Sequence, residues 1–245
     1  MTNDYKFPRF IQLFLAVKLG FAVVLIDGRG SNNRGVAFEA HLKCGLAEAL
    51  DQLDLCPALT AAPRRSRKFG SRARSRYRMG TVELQDQVQG LQYLQRTFQC
   101  LDLARVAISG WSYGGYLSLM AMAQYNHVFK LAICGAPVST WELYDTAYTE
   151  RYMGLPAEQP EAYRAGSVLT YADRFPNVAN RVLIVHGLID ENVHYRHTER
   201  LTSELVKHQK PYQLQTYDNE RHGIRSAAAN EHFETLMFHF LLNYL

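Results

Sequence analysis

The stretch that most restricts the fold of this chain is Gly110-Trp111-Ser112-Tyr113-Gly114, read with its flanks. Before it lies a short apolar run, Arg105-Val106-Ala107-Ile108-Ser109; after it, Tyr116-Leu117-Ser118-Leu119-Met120-Ala121-Met122-Ala123 has helical composition. A glycine-flanked serine between a strand and a helix has the pattern of a nucleophile elbow. The serine sits at the tip of a strained turn, its hydroxyl stands clear of the sheet, and the next backbone N–H can face an oxyanion. Glycines two residues either side let strand and helix pack closely. The pentapeptide alone is equally well read as an ordinary turn, because Gly and Ser are common in loops; the strand-to-helix context raises it above that default. A serine nucleophile then requires a carboxylate and a histidine downstream, in that order.

The rest of the chain supplies a scaffold for such a turn. Residues 10–26 are mostly apolar, but Lys18 and Gly20 interrupt them and Asp4 precedes them where a signal sequence carries positive charge. They are read as a helix over 10–18 and a strand over 22–26, which leaves no targeting or membrane segment. From Thr81 a helical pattern places Leu84, Val88, Leu91 and Leu94 on one face, with Glu83 and Asp86 near its positive end. Residues 131–135, 181–186 and 212–217 read as further strands, and residues 230–245 as a helix with Phe233, Leu236, Met237, Phe240, Leu241 and Tyr244 on its apolar face. Residues 131–135 show no polar alternation, as expected of a strand covered on both faces. Alternating strands and helices predict an α/β fold of 245 residues, a mostly parallel sheet with helices on both faces and function at the carboxyl ends of the strands.

Residues 45–77 stand apart. Their first part has Leu46, Ala49, Leu50 and Leu53 at helical spacing, and their second part is Ala, Pro, Arg and Ser with little to bury, which reads as disordered. Arg64, Arg65, Arg67, Lys68, Arg72, Arg74 and Arg76 against Glu48, Asp51 and Asp54 account for the whole net charge of +4. A solvated loop is preferred over a nucleic-acid or nuclear-localisation tract by about three to one. The basic charge is therefore no argument for a nucleic-acid partner.

Cofactor and metal chemistry find no support in the motifs. Asp27-Gly28-Arg29-Gly30-Ser31-Asn32-Asn33 lacks the third glycine of a dinucleotide fingerprint and the Lys-Ser/Thr of a phosphate loop. His194 and His197 lack a third ligand at zincin spacing, so neither a metal nor a cofactor is expected. Cys44, Cys56, Cys100 and Cys134 form neither a C-x-x-C pair nor a disulfide framework, which favours a reducing, cytoplasmic location.

The partners of Ser112 are sought at strand ends. The strand over 181–186 leads into Gly187-Leu188-Ile189-Asp190-Glu191, which puts Asp190 where an orienting acid belongs, with Glu191 as the neighbouring alternative. The last strand leads through Asp218-Asn219-Glu220-Arg221 to His222. Of nine histidines, His41, His127, His208, His232 and His239 lie within or beside helices and His186 within a strand, so His222 is the candidate general base. Ser112, Asp190 and His222 then follow the order of the triad, with the Tyr113 N–H as one oxyanion donor.

At this level of detail the chain resembles a known family. Asp27-Gly28-Arg29-Gly30-Ser31, Gly110-Trp111-Ser112-Tyr113-Gly114-Gly115, Tyr144-Asp145, Tyr148-Thr149-Glu150-Arg151-Tyr152-Met153, His186-Gly187, Asp190-Glu191-Asn192-Val193-His194 and Glu220-Arg221-His222 resemble the catalytic domain of the dipeptidyl peptidases of the prolyl oligopeptidase clan. Lys210-Pro211-Tyr212-Gln213-Leu214-Gln215 is most similar to the cytosolic rather than the membrane-bound members. The resemblance implies an α/β-hydrolase that removes N-terminal dipeptides with proline, or less well alanine, in second position, and a homodimer. It implies a proline pocket of Tyr113, Val138, Trp141, Tyr144, Tyr148 and Val193, with Asn192 holding a substrate carbonyl; aromatic walls suit a flat apolar ring. Without it, Tyr144 and Tyr148, four apart, read as helix packing.

The resemblance also implies a strand ending Tyr-Gly-Gly-Pro upstream of residue 1, lying between the 22–26 and 106 strands and giving a second oxyanion donor. A propeller domain, whose paired glutamates bind the substrate amino terminus, is implied as well. The fold class is therefore an α/β-hydrolase with N-terminal strands missing, interrupted by residues 45–77. The same triad also serves an esterase or acyl-aminoacyl peptidase, and a chain lacking those parts is otherwise an inactive binding or dimerisation partner. In the family pattern Leu42-Lys43 runs through about two residues into Met79-Gly80, a spacing Cys44 and Arg78 alone would fill. Residues 45–77 are expected to be retained intron sequence or a gene-model error, a hypothesis suggested by their composition and clean edges. Sequencing the mature transcript is expected to show most copies without these codons; their presence in most copies would sink that reading.

Overall fold

The computed structural model describes residues 10–31, 38, 79–99 and 101–245; residues 45–77 and most of 32–44 lie outside them. Among the described residues four strands make one sheet: β1 (Ala107–Trp111), β2 (Leu131–Gly135), β3 (Val182–Gly187) and β4 (Gln213–Tyr217). They lie side by side in chain order and every pairing is parallel. Parallel neighbours need crossovers, and helices supply them. The helices are α1 (Phe10–Val17), α2 (Val82–Phe98), α3 (Tyr113–Gln124), α4 (Thr146–Met153), α5 (Pro160–Gly166), α6 (Arg196–Lys207) and α7 (Ala227–Tyr244). The parallel sheet and strand-end architecture match the α/β-hydrolase expectation.

Side chains leave a strand alternately to its two faces, so an unbroken apolar strand serves two cores at once. In β2, Ala132 and Cys134 join one buried cluster while Leu131 and Ile133 join another. In β3 the division repeats, with Val182 and Ile184 on the first face and Leu183 and Val185 on the second. The first face is covered by Tyr116, Leu119 and Met120 of α3 and Leu84 of α2; the second by Met237, Phe240 and Leu241 of α7. Burial of Cys134 raises its thiol pKa, leaving it an inert packing residue.

One expected element is not formed. Residues 21–28 run without a ladder, so the strand predicted over 22–26 is corrected to an irregular segment. Apolar composition makes a strand only where a neighbour pairs its backbone, and no described strand lies beside this one. The segment rests on α2 instead. Gln87 Nε2 donates to the Ile26 carbonyl at 2.8 Å, and Arg29 engages Asp86 through its Nε and NH2 groups at 2.8–3.1 Å. Val23, Val24 and Leu25 are left exposed.

The elbow depends on missing side chains. A Cβ on Gly110 would overlap the Gly114 backbone, and one on Gly115 would overlap the Gly135 carbonyl and crowd Pro137. Gly114 itself has open space around its Cβ position, so the close approach falls to Gly110 and Gly115. Gly110→Ala is expected to destabilise by about 3 kcal/mol, since backbone cannot step aside as a side chain can. Gly114→Ala should be neutral or gain up to about 1 kcal/mol from helix propensity. Urea unfolding midpoints of the two variants check this contrast.

Candidate active site

Ser112 lies between β1 and α3 with φ 59° and ψ −117°, a conformation an L-residue holds only where its surroundings impose it. Its N–H donates to the Gly135 carbonyl at 2.8 Å, and its carbonyl accepts the Tyr116 N–H at 2.9 Å. Tyr113 opens α3, so its N–H is one of the helix's first donors with no intrahelical partner.

Asp190 and His222 are brought together by main-chain stitches between the loops after β3 and β4. The Leu188 N–H donates to the Tyr217 carbonyl at 2.9 Å and the Ile189 N–H to the Glu220 carbonyl at 3.2 Å. Only glycine fits at 187, because a Cβ there would overlap the Glu220 and Arg221 carbonyls. Asp190 is buried, whereas Glu191 is exposed and sits 3.5 Å from Arg221, which decides between the two neighbouring acids. Asp190 Oδ1 accepts the Asn192 and Val193 N–H groups, each at 2.9 Å. Oδ2 lies 2.8 Å from His222 Nδ1 and 3.2 Å from His186 Nε2. Burial by itself would raise the Asp190 pKa. Hydrogen bonds from His186, His222 and the Asn192 N–H, with the His222 charge, outweigh it and hold the carboxyl well below the usual carboxylate range.

His222 is also fixed through its backbone. Trp111 Nε1–H donates to the His222 carbonyl at 2.5 Å, joining the elbow's own tryptophan to the histidine loop. The indole occupies space that any side chain at Gly135 would take, and its edge meets Phe233 of α7 at 5.6 Å. The Ser112 hydroxyl and His222 are not hydrogen-bonded among the described residues, a gap commonly closed when substrate binds.

The expected pocket residues also come together. Trp141, on a short 3-10 turn, lies 5.9 Å from Tyr113 and 6.1 Å from both Tyr144 and Tyr148, ring centre to ring centre. Tyr144 and Tyr148 meet edge-on at 5.4 Å. Val138 and Val193 are buried in the same cluster. Asp145 caps α4 by accepting the Tyr148 N–H at 2.9 Å, which sets the Tyr148 ring at the wall. The Tyr144 hydroxyl donates to Asn192 Oδ1 at 3.0 Å, leaving the Asn192 Nδ2 group as a donor without a partner among the described residues.

The sequence does not reveal the roles of Glu83 and His197. Glu83, which the sequence places only near the positive end of a helix, is buried and accepts the Gly80 and Thr81 N–H groups at 3.1 Å and the Tyr113 hydroxyl. Burial pushes its carboxyl up, against those hydrogen bonds. The signal was its place two residues after Thr81, the helix N-cap, whence a carboxylate reaches back to N–H groups before the helix. His197 was weighed only as a metal ligand. It is buried, its Nδ1 accepting the Ser139 N–H at 3.2 Å while its carbonyl accepts the Ser139 hydroxyl at 2.8 Å, so α6 anchors the segment that carries Val138 and Trp141.

A serine elbow at one strand end, with an Asp–His pair on the loops after the next-to-last and last strands, on a parallel sheet covered on both faces, defines an α/β-hydrolase. The chain belongs to the prolyl oligopeptidase family, whose model matches residues 59–245, beginning inside the 45–77 segment. It is 44% identical over 241 residues to dipeptidyl peptidase 8 of Mus musculus and of Homo sapiens, covering 98% of this chain and 23% of each relative. With dipeptidyl peptidase 4 of Bos taurus it shares 41% over 166 residues, 67% of this chain and 21% of that protein. The chain thus spans less than a quarter of the length of these relatives.

Burial, with the nearby His186 charge, pushes His197 down to about 4 against the Leu143 carbonyl. The unfolded chain therefore takes up this proton first, near pH 6.5, while the folded chain resists it until about 4. Stability from His197 is present above about pH 6.5 and is lost as pH falls toward 4, by roughly 3 kcal/mol. Thermal unfolding of wild type and His197→Gln between pH 7 and 4 checks this: the variant should lack that part of the slope.

Proposed function

We propose that this chain is the catalytic part of a serine exopeptidase that releases dipeptides bearing proline or alanine in second position. Ser112 Oγ attacks the scissile carbonyl carbon while its proton passes to His222 Nε2. The C–N bond then breaks as His222 returns that proton to the leaving amine, leaving the acyl group on Ser112. A water, deprotonated by His222, attacks the ester, and Ser112 regains its proton. Asp190 holds the His222 Nδ1–H tautomer and stabilises the imidazolium, and the Tyr113 N–H stabilises the oxyanion. The proline ring packs among Val138, Trp141, Tyr144, Tyr148, Val193 and the Tyr113 ring, and Asn192 Nδ2 donates to a substrate carbonyl. Homodimerisation and a cytoplasmic location belong to the same reading and rest on the resemblance. No helix among the described residues is long and apolar enough to cross a membrane.

The observation that carries this reading is the 2.8 Å His222–Asp190 pair, held to the elbow through Trp111. A fluorophosphonate probe tests it. Wild type is expected to be labelled, Ser112→Ala not at all, and Asp190→Asn about 10⁴-fold more slowly. Hydrolysis of a dipeptidyl-proline coumarin amide supports the exopeptidase. Turnover of simple esters alone supports the esterase alternative, and an unlabelled wild type supports an inactive binding partner.

A further inference from the structure

The mechanism above uses one imidazole on Asp190, but the carboxylate carries two. His186 is the next-to-last residue of β3, fully buried, and its Nε2 lies 2.9 Å from the Val193 carbonyl and 3.2 Å from Asp190 Oδ2. A carbonyl only accepts, so Nε2 carries a proton and shares it between Val193 and Asp190. In the neutral ring Nδ1 is then bare, and the Thr198 hydroxyl, 2.7 Å away and also fully buried, must donate to it. Tyr195 meets the imidazole edge-on at 5.5 Å, so the ring has both its nitrogens and a face accounted for.

We infer that His186 and Thr198 are positioning residues for the triad carboxylate, Thr198 donating to Nδ1 and so holding the ring, and His186 fixing Oδ2, the oxygen that receives His222. The inference rests on the peptidase reading for its catalytic consequence. The two backbone donors hold Oδ1; without His186, Oδ2 would answer to His222 alone, the group it has to orient. The His186 N–H also draws charge from Oδ2 and so limits how tightly His222 keeps its proton. The titratable groups around His186 are Asp190 beside it, His222 across Asp190, His197 on α6 and Tyr195 at its face. Because this chain of donors is buried, water cannot replace a lost member.

The test measures fluorophosphonate labelling rate against pH, together with ring-nitrogen NMR of ¹⁵N-histidine protein. In wild type one histidine ring should carry its proton on Nε2 rather than on Nδ1. Thr198→Val should leave the proton on Nε2 but shift the Nδ1 resonance as that nitrogen loses its donor, slow labelling about tenfold and raise the acid limb by about one pH unit, the size of one hydrogen bond. Thr198→Ser, which keeps the hydroxyl, should restore all three readouts. His186→Gln, whose amide N–H can stand where Nε2 stands, should keep more rate than His186→Leu. A Thr198→Val protein with wild-type rate and acid limb, changed only in melting temperature, overturns the inference, as does a wild-type ring protonated on Nδ1. A wild type that takes no label overturns the peptidase reading and the catalytic consequence with it, while the tautomer assignment stands or falls on the spectra alone.

Discussion

The hydrogen bond from the Ser112 N–H to the Gly135 carbonyl is the contact on which the site depends. It holds Ser112 in a left-handed conformation that costs of order 1–3 kcal/mol, which only a surrounding framework can impose. That framework is the parallel pairing of β1 with β2, where Trp111 stands opposite Gly135. Because Gly135 has no side chain, the Trp111 indole can lie over it and reach the His222 carbonyl. One strand pairing therefore fixes both Ser112 and the loop that carries His222.

Apolar and polar forces divide the work. The two faces of the sheet are set by non-directional burial, which tolerates many arrangements of similar volume. The loops above the sheet are set by directional bonds with few solutions: the stitches from Leu188 and Ile189, the four donors around Asp190, and Glu83 under Tyr113. The aromatic box around Trp141 stands at the boundary. Its rings pack as core, while the Tyr144 hydroxyl turns to Asn192 and joins the polar set.

What was legible in the sequence follows from the same division. The apolar face of the last helix was readable because burial imposes a period on side chains, and Leu131–Gly135 because burial on both faces leaves an unbroken apolar run. Ser112, Asp190 and His222 were readable because each follows a strand in a fixed order. The strand expected over 22–26 failed because pairing needs a second strand, which composition does not report. Glu83 and His186 escaped because a buried charge or imidazole looks, in sequence, like a helix-end acid or a strand residue. Only the partners that arrive from elsewhere in the chain, Tyr113 for one and Thr198 for the other, give them away.

The order of the strands across the sheet is also their order along the chain. A ribosome delivers the N-terminal end first, so the sheet can be laid down strand by strand as the polypeptide emerges, each new edge ready before its neighbour arrives. Ser112 is thus in place early, while Asp190 waits for β3 and His222 for β4. A nascent chain would hold Ser112 without its proposed partners until the last of the described strands docks, a built-in delay between forming the elbow and completing the constellation around it.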